Sequence, residues 1–169
     1  MDKAVVRRAT VADAAGVAAV HTASWREAYA ELLPPDYLAQ RVVPESRWVT
    51  SLRVGDDRPT FVVAIGTSVV GFASVAEAED EPGVGQLYAI YLLAAYWGHG
   101  LGHLLHRRAM QWLVERGFTE AVLVVLTDNA RTRGFYRRQG WVADGDAVPD
   151  VIGGRMVSIS PLRRQLLAG

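Results

Sequence analysis

The sequence predicts a single α/β domain over residues 1–169, in which about four helices flank a mixed, mostly antiparallel central sheet. Two observations carry this prediction. Short β-rich runs follow one another without a helix in the first half of the chain, which is typical of antiparallel strands. One strand–helix–strand crossover then lies mid-chain, which is typical of a parallel pair. With 50% hydrophobic and 21% charged residues, the composition is that of an ordinary globular domain.

The first helical region is read from its periodicity. Residues 11–30 place apolar side chains at helical spacing, and Thr10 with Asp13 supplies a capping-box start. The prolines at 34–35 end this element, because proline lacks the N–H that a helix interior needs. Residues 44–53 predict a second helix.

The other elements are read from hydrophobic runs and the turn residues that bound them. In chain order they are strands at 3–9, 60–65, 69–76 and 86–93, a helix over 100–116, a strand at 121–126, a helix from 128 to near 140, and final strands at 141–148 and 154–160.

The most informative segment is the turn Tyr96-Trp97-Gly98-His99-Gly100-Leu101-Gly102, between an apolar strand and an amphipathic helix. Its glycines leave backbone N–H groups unobstructed at the positive end of a helix dipole, which predicts an anion site with pyrophosphate as the favoured occupant. A nucleotide P-loop would need Lys-Ser/Thr after the turn, and a dinucleotide fingerprint would need a third glycine where this chain has His103 or Leu105. The turn matches neither motif.

Charge is distributed unevenly, although the formal net charge is zero. Residues 98–140 hold seven arginines against three acidic residues, whereas residues 1–97 hold eight basic and twelve acidic residues. Positive charge around the turn favours a ligand with several phosphates, and it equally suits a solvated helix face. A net charge of zero argues against wholesale nucleic-acid binding.

Missing residue types and segments narrow the class of protein. The chain has no cysteine, which excludes disulfides, thiolate metal sites and a cysteine nucleophile. The four histidines lack paired spacing, so no metal site is expected. No run approaches the roughly 20 apolar residues of a membrane helix, and the N-terminus lacks a signal-peptide core. We therefore expect a cytoplasmic protein without membrane attachment.

A second motif runs from Thr127 to Trp141, with a helix and a strand between it and the glycine turn. Together the two motifs resemble the GCN5-related N-acetyltransferase (GNAT) superfamily, and the resemblance spans residues 3–160 in element order. It implies that the parallel strands at 86–93 and 120–127 splay apart, and that acetyl-coenzyme A binds in the opening.

The resemblance assigns most cofactor contacts to backbone groups. N–H groups at Ile90 and Leu92 would bind the acetyl and pantetheine parts, and the turn would bind the pyrophosphate. Asn129 would contact pantetheine while also capping the next helix. Either Arg131 or Arg133 would approach the remaining phosphate. The implied cofactor-binding set is Ile90, Leu92, Trp97, Gly98, His99, Gly100, Leu101, Gly102, His103, Asn129 and Arg133.

Side chains of the turn add to these backbone contacts. The family usually has Gln or Arg where Trp97 stands, so one polar phosphate contact is absent and weaker binding is expected. His99 and His103 flank the turn and would add proton-dependent contacts to phosphate.

Tyr136 is the implied catalytic residue, because it matches the family's Phe-Tyr pair. A phenol with a pKa near 10 stays protonated at neutral pH and can protonate a departing thiolate. Packing beside Phe135 in the core is the alternative role.

The general base is not assigned by the sequence. Many relatives use a glutamate near the start of the central strand, where this chain has Gln86, which cannot accept a proton. The remaining carboxylates are Glu77, Glu79, Glu27 and Glu31.

Three aromatic residues are the implied acceptor wall: Trp25, Tyr29 and Tyr91. Trp25 and Tyr29 lie one helical turn apart, although core packing also suits Trp25. Strand alternation predicts that Tyr88 and Tyr91 face opposite sides, with Tyr91 in the cleft. The acidic segment 77–81 favours a cationic acceptor.

These observations predict an N-acetyltransferase that moves an acetyl group from acetyl-coenzyme A directly to an amine, without an acyl-enzyme. The alternatives are an acyl-coenzyme A sensor of the same fold, which Gln86 favours, and a nucleotide-binding protein. The acceptor amine is not identified. The apolar C-terminal segment with Leu162, Leu166 and Leu167 would suit a homodimer contact.

Overall fold

A computed structural model describes residues 2–53 and 55–167 of the chain. Within these residues the helices are α1 (Ala14–Tyr29), α2 (Pro35–Gln40), α3 (Glu45–Arg53), α4 (Leu101–Glu115) and α5 (Ala130–Arg138). The strands are β1 (Ala4–Arg8), β2 (Thr60–Ile65), β3 (Ser68–Glu77), β4 (Gly85–Leu92), β5 (Glu120–Leu126), β6 (Val142–Ala143), β7 (Val148–Ile152) and β8 (Arg155–Gln165).

All eight strands belong to one sheet. Its order is β1-β2-β3-β4-β5-β8-β6, and β7 pairs with β8. Every described pair is antiparallel except β4 and β5, which are parallel and joined through α4. The predicted mixed, mostly antiparallel sheet with one parallel pair is therefore confirmed.

Helices cover both faces of the sheet. On β2, Phe61 and Val63 pack toward α4, while Val62 between them packs toward α1 and α3, because strand side chains alternate between faces. Leu105 and Leu113 of α4 are fully buried on the first face. The strands at the centre are thus apolar on both sides, as the solid apolar runs predict.

The predicted start of the first helix is confirmed. The chain enters through a 3₁₀ turn at Val11–Asp13, and the Thr10 N–H donates to Asp13 at 2.8 Å. Both carboxylate oxygens of Asp13 also accept from Arg7 at 2.8 Å. Mainly because of this guanidinium, the pKa of Asp13 lies below its usual range.

A further helix, α2, lies where the sequence predicts only a break. Pro34 stands just before it and Pro35 is its first residue. Proline is favoured there because the first N–H of a helix has no partner within the helix, and its φ is already helical. The prolines therefore end the first helical region and also begin α2.

The C-terminal strands differ from their predicted ranges. The predicted strand at 141–148 ends at Ala143, and Gly145 follows with a positive φ of 95°. A β7–β8 hairpin then turns at Gly153 and Gly154, both with positive φ. The last strand continues past residue 160, since Pro161 lies opposite Val124 and needs no N–H donor there.

Two of the three C-terminal leucines contribute to the hydrophobic core. Leu166 is buried and Leu162 packs against the core on the α4 face, whereas Leu167 is exposed. The homodimer contact stays a prediction. Among residues 2–53 and 55–167, no helix has the length and apolarity needed to traverse a bilayer.

Candidate active site

The parallel strands β4 and β5 separate soon after they meet. They pair only at Gly85 with Ala121 and at Gln86 with Val122. Farther along, β4 keeps its partner β3, and within residues 2–53 and 55–167 no strand pairs with its other edge. The N–H of Leu93 donates to Val70 on β3, so by strand alternation the backbone groups of Ile90 and Leu92 point into the opening.

A cavity of about 270 Å³ fills this opening, and we name it the splay cavity. Its walls combine β4 and β5 with α1, α5 and β7. The side chains that matter most for chemistry are Ser24, Trp25, Tyr29, Tyr91, Asn129, Arg131, Tyr136 and Asp150.

The glycine turn forms a second, adjoining cavity of about 350 Å³, the turn cavity. Gly98 and Gly100 have φ of 78° and 79°, a conformation that other residues adopt with strain. The first backbone bond of α4 joins the Leu104 N–H to the Gly100 carbonyl, so the N–H groups of Leu101, Gly102 and His103 have no partner within the helix. Together they form an N-terminal anion site of the kind predicted.

The two cavities form one cleft. Both are lined by Ile90, Leu92, Trp97, Arg131 and Thr132. A long ligand with an anionic end can therefore lie with that end on the turn and its other end between the splayed strands.

Trp97 and Arg131 occupy the junction of the two cavities. The indole N–H of Trp97 donates to the Leu92 carbonyl at 2.8 Å. The guanidinium of Arg131 lies over the Trp97 ring, 3.4 Å from its centroid. Arg133 instead donates to the Thr127 carbonyl at 3.0 Å and lines neither cavity. Of the two arginines considered for phosphate contact, the structure brings Arg131 to the cleft.

The histidines of the turn lie at different distances from the cleft. His103 lines the turn cavity, and its Nδ1 lies 2.9 Å from Oε1 of Gln139. His99 is exposed, with Nδ1 3.4 Å from the Tyr96 carbonyl. Of these two histidines, His103 therefore forms part of the wall of the turn cavity, whereas His99 does not.

Asn129 serves both as a helix cap and as part of the cavity wall. Its side chain accepts from the Thr132 N–H at 3.3 Å at the start of α5, as a helix N-cap does. It is buried and lines the splay cavity. Its contact with pantetheine stays a prediction.

Tyr136 is both a core residue and a cavity residue. Only 7% of it is exposed, and its ring packs edge-on against Phe135 and Trp141. It nevertheless lines the splay cavity. Burial, with a smaller effect of Tyr91, raises the pKa of Tyr136 above its ordinary value, so the phenol keeps its proton at neutral pH.

The three residues of the implied acceptor wall are brought together. The Trp25 indole N–H donates to the Tyr91 hydroxyl at 3.0 Å, and the rings of Trp25 and Tyr29 are 4.6 Å apart. Burial raises the pKa of Tyr29, and Tyr91 adds to this effect. Burial also raises the pKa of Tyr91. The wall is therefore neutral and aromatic on the α1 side.

The prediction that Tyr88 and Tyr91 face opposite sides is wrong. Ser74 pairs with Ala89, but Val75 pairs with Leu87, so Tyr88 is an extra residue in β4. Such a β-bulge changes the alternation of the strand. Both tyrosines line the same cavities, and the Tyr88 hydroxyl donates to the Glu77 carbonyl at 3.1 Å.

The glutamates considered as general bases lie elsewhere. Glu77 accepts from the Gly83 N–H at 2.7 Å, Glu79 pairs with Arg58 at 2.9 Å, and Glu27 accepts from the Ala94 N–H at 3.0 Å. These three and Glu31 are absent from the described lining of the splay cavity.

Asp150 lies outside the predicted site, yet among the described residues it is the carboxylate that lines the splay cavity. It lies on β7, and its Oδ1 accepts from the Val151 N–H at 2.8 Å. The sequence around it carries no motif. The β7–β8 hairpin brings Asp150 beside the cleft. The Gly153-Gly154 pair, which forms the turn of this hairpin, is therefore the sequence feature that could have predicted its position.

The sheet with one splayed parallel pair, the glycine turn at its edge and a tyrosine in the cavity wall are the features that the GNAT resemblance implies. A family model described as the Acetyltransferase (GNAT) family matches residues 18–141. The chain belongs to this family of acetyltransferases.

Individual relatives agree with this membership. The chain is 34% identical over 132 residues to the uncharacterized N-acetyltransferase YuaI of Bacillus subtilis, covering 73% of this chain and 72% of that protein. The PaiA N-acetyltransferase of Thermoplasma acidophilum, solved with coenzyme A, superposes with a TM-score of 0.80 at 17% identity over 96% of this chain and 99% of that one. YncA of Salmonella typhimurium, a putative acetyltransferase solved with acetyl-CoA, superposes with a TM-score of 0.78 at 20% identity, over 97% of this chain and 94% of that one. At these identities the two solved structures show a shared fold.

Proposed function

We propose that this chain transfers the acetyl group of acetyl-coenzyme A directly to the nitrogen of an amine. The observation that carries the proposal is the continuous cleft that joins the glycine turn to the splay between β4 and β5. One end of this cleft suits a diphosphate, and the other suits a thioester.

The glycine turn holds the diphosphate in this proposal. The N–H groups of Leu101, Gly102 and His103 point outward at the positive end of α4, a helix of 15 residues. Arg131 adds a guanidinium at the inner rim, where it stacks on Trp97. Substrate affinity therefore depends mainly on backbone groups.

The splay cavity holds the thioester. The N–H groups of Ile90 and Leu92 lie on the unpaired edge of β4 and can donate to the carbonyl oxygen as it becomes negative. The amine nitrogen forms a bond to the carbonyl carbon, the C–S bond breaks, and Tyr136 gives its proton to the sulfur. The nitrogen releases its extra proton as the amide forms, and a proton returns to Tyr136 through water. The raised pKa of Tyr136 keeps that proton in place until the thiolate forms.

The acceptor's proton leaves through the mouth of the splay cavity. An ammonium must lose a proton before its nitrogen can attack. Asp150 supplies a carboxylate there, and we assign it the role of accepting this proton through water.

The lack of an activated nucleophile among the described residues of the splay cavity supports direct transfer. The chain has no cysteine. Ser24 lines the splay cavity, but its buried Oγ has no hydrogen-bond partner in the structure and therefore no base to activate it.

The test is a turnover assay with acetyl-coenzyme A and a panel of amines, followed by release of free thiol and by mass spectrometry of amine and protein. We expect a thiol signal that depends on the amine, an acetylated amine, and no acetylated protein intermediate. Binding of coenzyme A without turnover on any amine would favour the sensor instead. An acetylated protein that forms before the product would contradict direct transfer.

A further inference from the structure

A third cavity, of about 500 Å³, lies on the α1 and α3 side of β4, and we name it the arginine cavity. Arg41, Arg47 and Arg58 line it, and Trp48 is among its aromatic walls. None of the lining residues that the structure describes is Asp or Glu. Its charged lining is therefore of one sign.

The arginine cavity adjoins the splay cavity. Trp25, Tyr88, Ala89 and Tyr91 line both cavities, because the β4 bulge turns the two tyrosines to the same side. A small molecule with its nitrogen near the splay can therefore extend past these side chains toward the arginines.

Two of the three arginines are not neutralised by an acidic partner. Arg58 pairs with Glu79 at 2.9 Å. Within residues 2–53 and 55–167, no carboxylate forms an ion pair with Arg41 or Arg47. Arg47 is exposed and Arg41 is half-buried, so both guanidinium groups are accessible to a ligand or to solvent at this wall.

Arg41 is held in place rather than extended into solvent. Its guanidinium lies over the Trp25 ring, 4.1 Å from the centroid, and it donates to the Tyr37 hydroxyl at 3.1 Å. Its buried Nε has no hydrogen-bond partner in the structure. A buried donor without a partner is uncommon in native proteins, so the hydrogen-bonding capacity of this guanidinium is not fully used by the described residues.

His21 on this side of the sheet reports the same positive field. Its Nδ1 accepts from the Trp48 indole N–H at 3.3 Å, so the ring is neutral. Burial, together with the smaller effects of the Arg47 and Arg41 charges, lowers the pKa of His21 to about 4. The histidine therefore adds no positive charge at neutral pH, and the two arginines account for the field.

Three carboxylates of the acidic segment 77–81, on which the expectation of a cationic acceptor rests, have partners within the protein. Glu77 accepts from the Gly83 N–H, Glu79 pairs with Arg58, and both oxygens of Glu81 accept from Arg163 at 2.9 Å. These three carboxylates are absent from the lining of the arginine cavity. The three carboxylates therefore do not contribute to this wall, and the cationic acceptor stays a prediction.

We propose that Arg41 and Arg47 bind a carboxylate of the acceptor, so that the substrate class is an amine that also carries a carboxylate. A planar guanidinium matches a carboxylate with two parallel hydrogen bonds, which makes such recognition specific. This inference rests on the proposed function, because the arginines act as specificity residues for the same transfer.

The experiment compares matched acceptors and matched variants. Each α-amino acid is assayed against its carboxamide, which keeps the amine and side chain but removes the negative charge. The variants are Arg47→Gln and Arg41→Gln, with Arg53→Gln as control, since Arg53 ends the same helix as Arg47 and does not line the cavity.

For the unaltered protein we expect kcat/KM to be about ten-fold or more higher for the acids than for the carboxamides. Arg47→Gln and Arg41→Gln should remove most of this preference, mainly by raising KM for the acid. Arg53→Gln should keep it. Equal or better use of carboxamides or polyamines would overturn the carboxylate assignment while leaving acetyl transfer intact.

A binding measurement keeps the inference testable without turnover. Calorimetry of the coenzyme A-saturated protein with N-acetylphenylalanine and with its carboxamide should show tighter binding of the acid, lost in Arg47→Gln. If no amine is acetylated but this difference is present, the proposed function fails and the carboxylate site stands. If the two ligands bind alike, the carboxylate site is rejected.

Discussion

The guanidinium of Arg131 lies 3.4 Å above the ring centroid of Trp97, at the junction of the two halves of the cleft. The family resemblance places Gln or Arg where this chain has Trp97. In this chain, a cation comes instead from α5 and stacks on the indole. The stacked pair therefore returns a positive charge to the rim of the glycine turn.

Replacing Arg131 with Gln should weaken acetyl-coenzyme A binding about ten-fold, because one charge-assisted contact is lost. Calorimetry or the KM for acetyl-coenzyme A measures this change. Arg137→Gln is the control, since Arg137 lies on the same helix, is exposed and lines neither cavity. Equal affinities of the two variants would remove Arg131 from the binding site.

Gly100 in the glycine turn and Gly117 beyond the other end of α4 allow a pair of matched alanine substitutions. Gly100 and Gly117 both have positive φ, and a Cβ at either would meet open space. Alanine should cost each about 1 kcal/mol of stability, because the left-handed conformation is strained. Only Gly100→Ala should weaken coenzyme A binding, since it shifts the N–H groups at the start of α4. Similar losses of affinity in both variants would contradict this role of the turn.

Removal of the Tyr136 hydroxyl should lower kcat about 10²-fold with little change in KM for acetyl-coenzyme A. The reason is that the phenol acts on the leaving sulfur and not on the bound ground state. The ring of Tyr136→Phe keeps its contacts with Phe135 and Trp141, so stability should change little. Full turnover in this variant would exclude Tyr136 as the general acid.

Two buried histidines predict loss of stability in acid. The pKa of His21 is lowered to about 4 and that of His106 to about 3, in both cases mainly by burial. Each ring also accepts a bond from a tryptophan N–H, at 3.3 Å from Trp48 and 2.8 Å from Trp141, which protonation would break.

The direction follows from proton linkage. Unfolded histidines titrate near 6.5, so below that pH the unfolded chain binds more protons and the folded state loses stability. Between pH 7.5 and 5.5 the two rings together should lower the free energy of unfolding by about 2–3 kcal/mol. Denaturant melts measure this, and histidine NMR titration should show two rings still neutral at pH 5.5. Two rings that titrate above pH 6 would refute it.

The central part of the fold could be predicted because its signals are local. The strand at 86–93 and the helix over 100–116 correspond to β4 and α4 within one or two residues. Gly98 and Gly100 predict the turn between β4 and α4, because its backbone needs positive φ at both positions. The resemblance then supplied the splay, which no single segment encodes.

Features that depend on distant pairing could not be predicted in the same way. The bulge at Tyr88 exists only in the register between β3 and β4. Asp150 reaches the cleft through the β7–β8 hairpin, and Arg41 with Arg47 reaches β4 only because α1 and α3 pack on the same face. In sequence these residues look like ordinary surface charges.

The most direct measurement is a calorimetric comparison of acetyl-coenzyme A with S-acetylpantetheine, which has the same acyl arm but lacks the diphosphate and nucleotide. If main-chain N–H groups of the glycine turn grip the diphosphate, acetyl-coenzyme A should bind about 100-fold more tightly or better. Equal affinity for both compounds, or no binding of either, would contradict the site described for this protein.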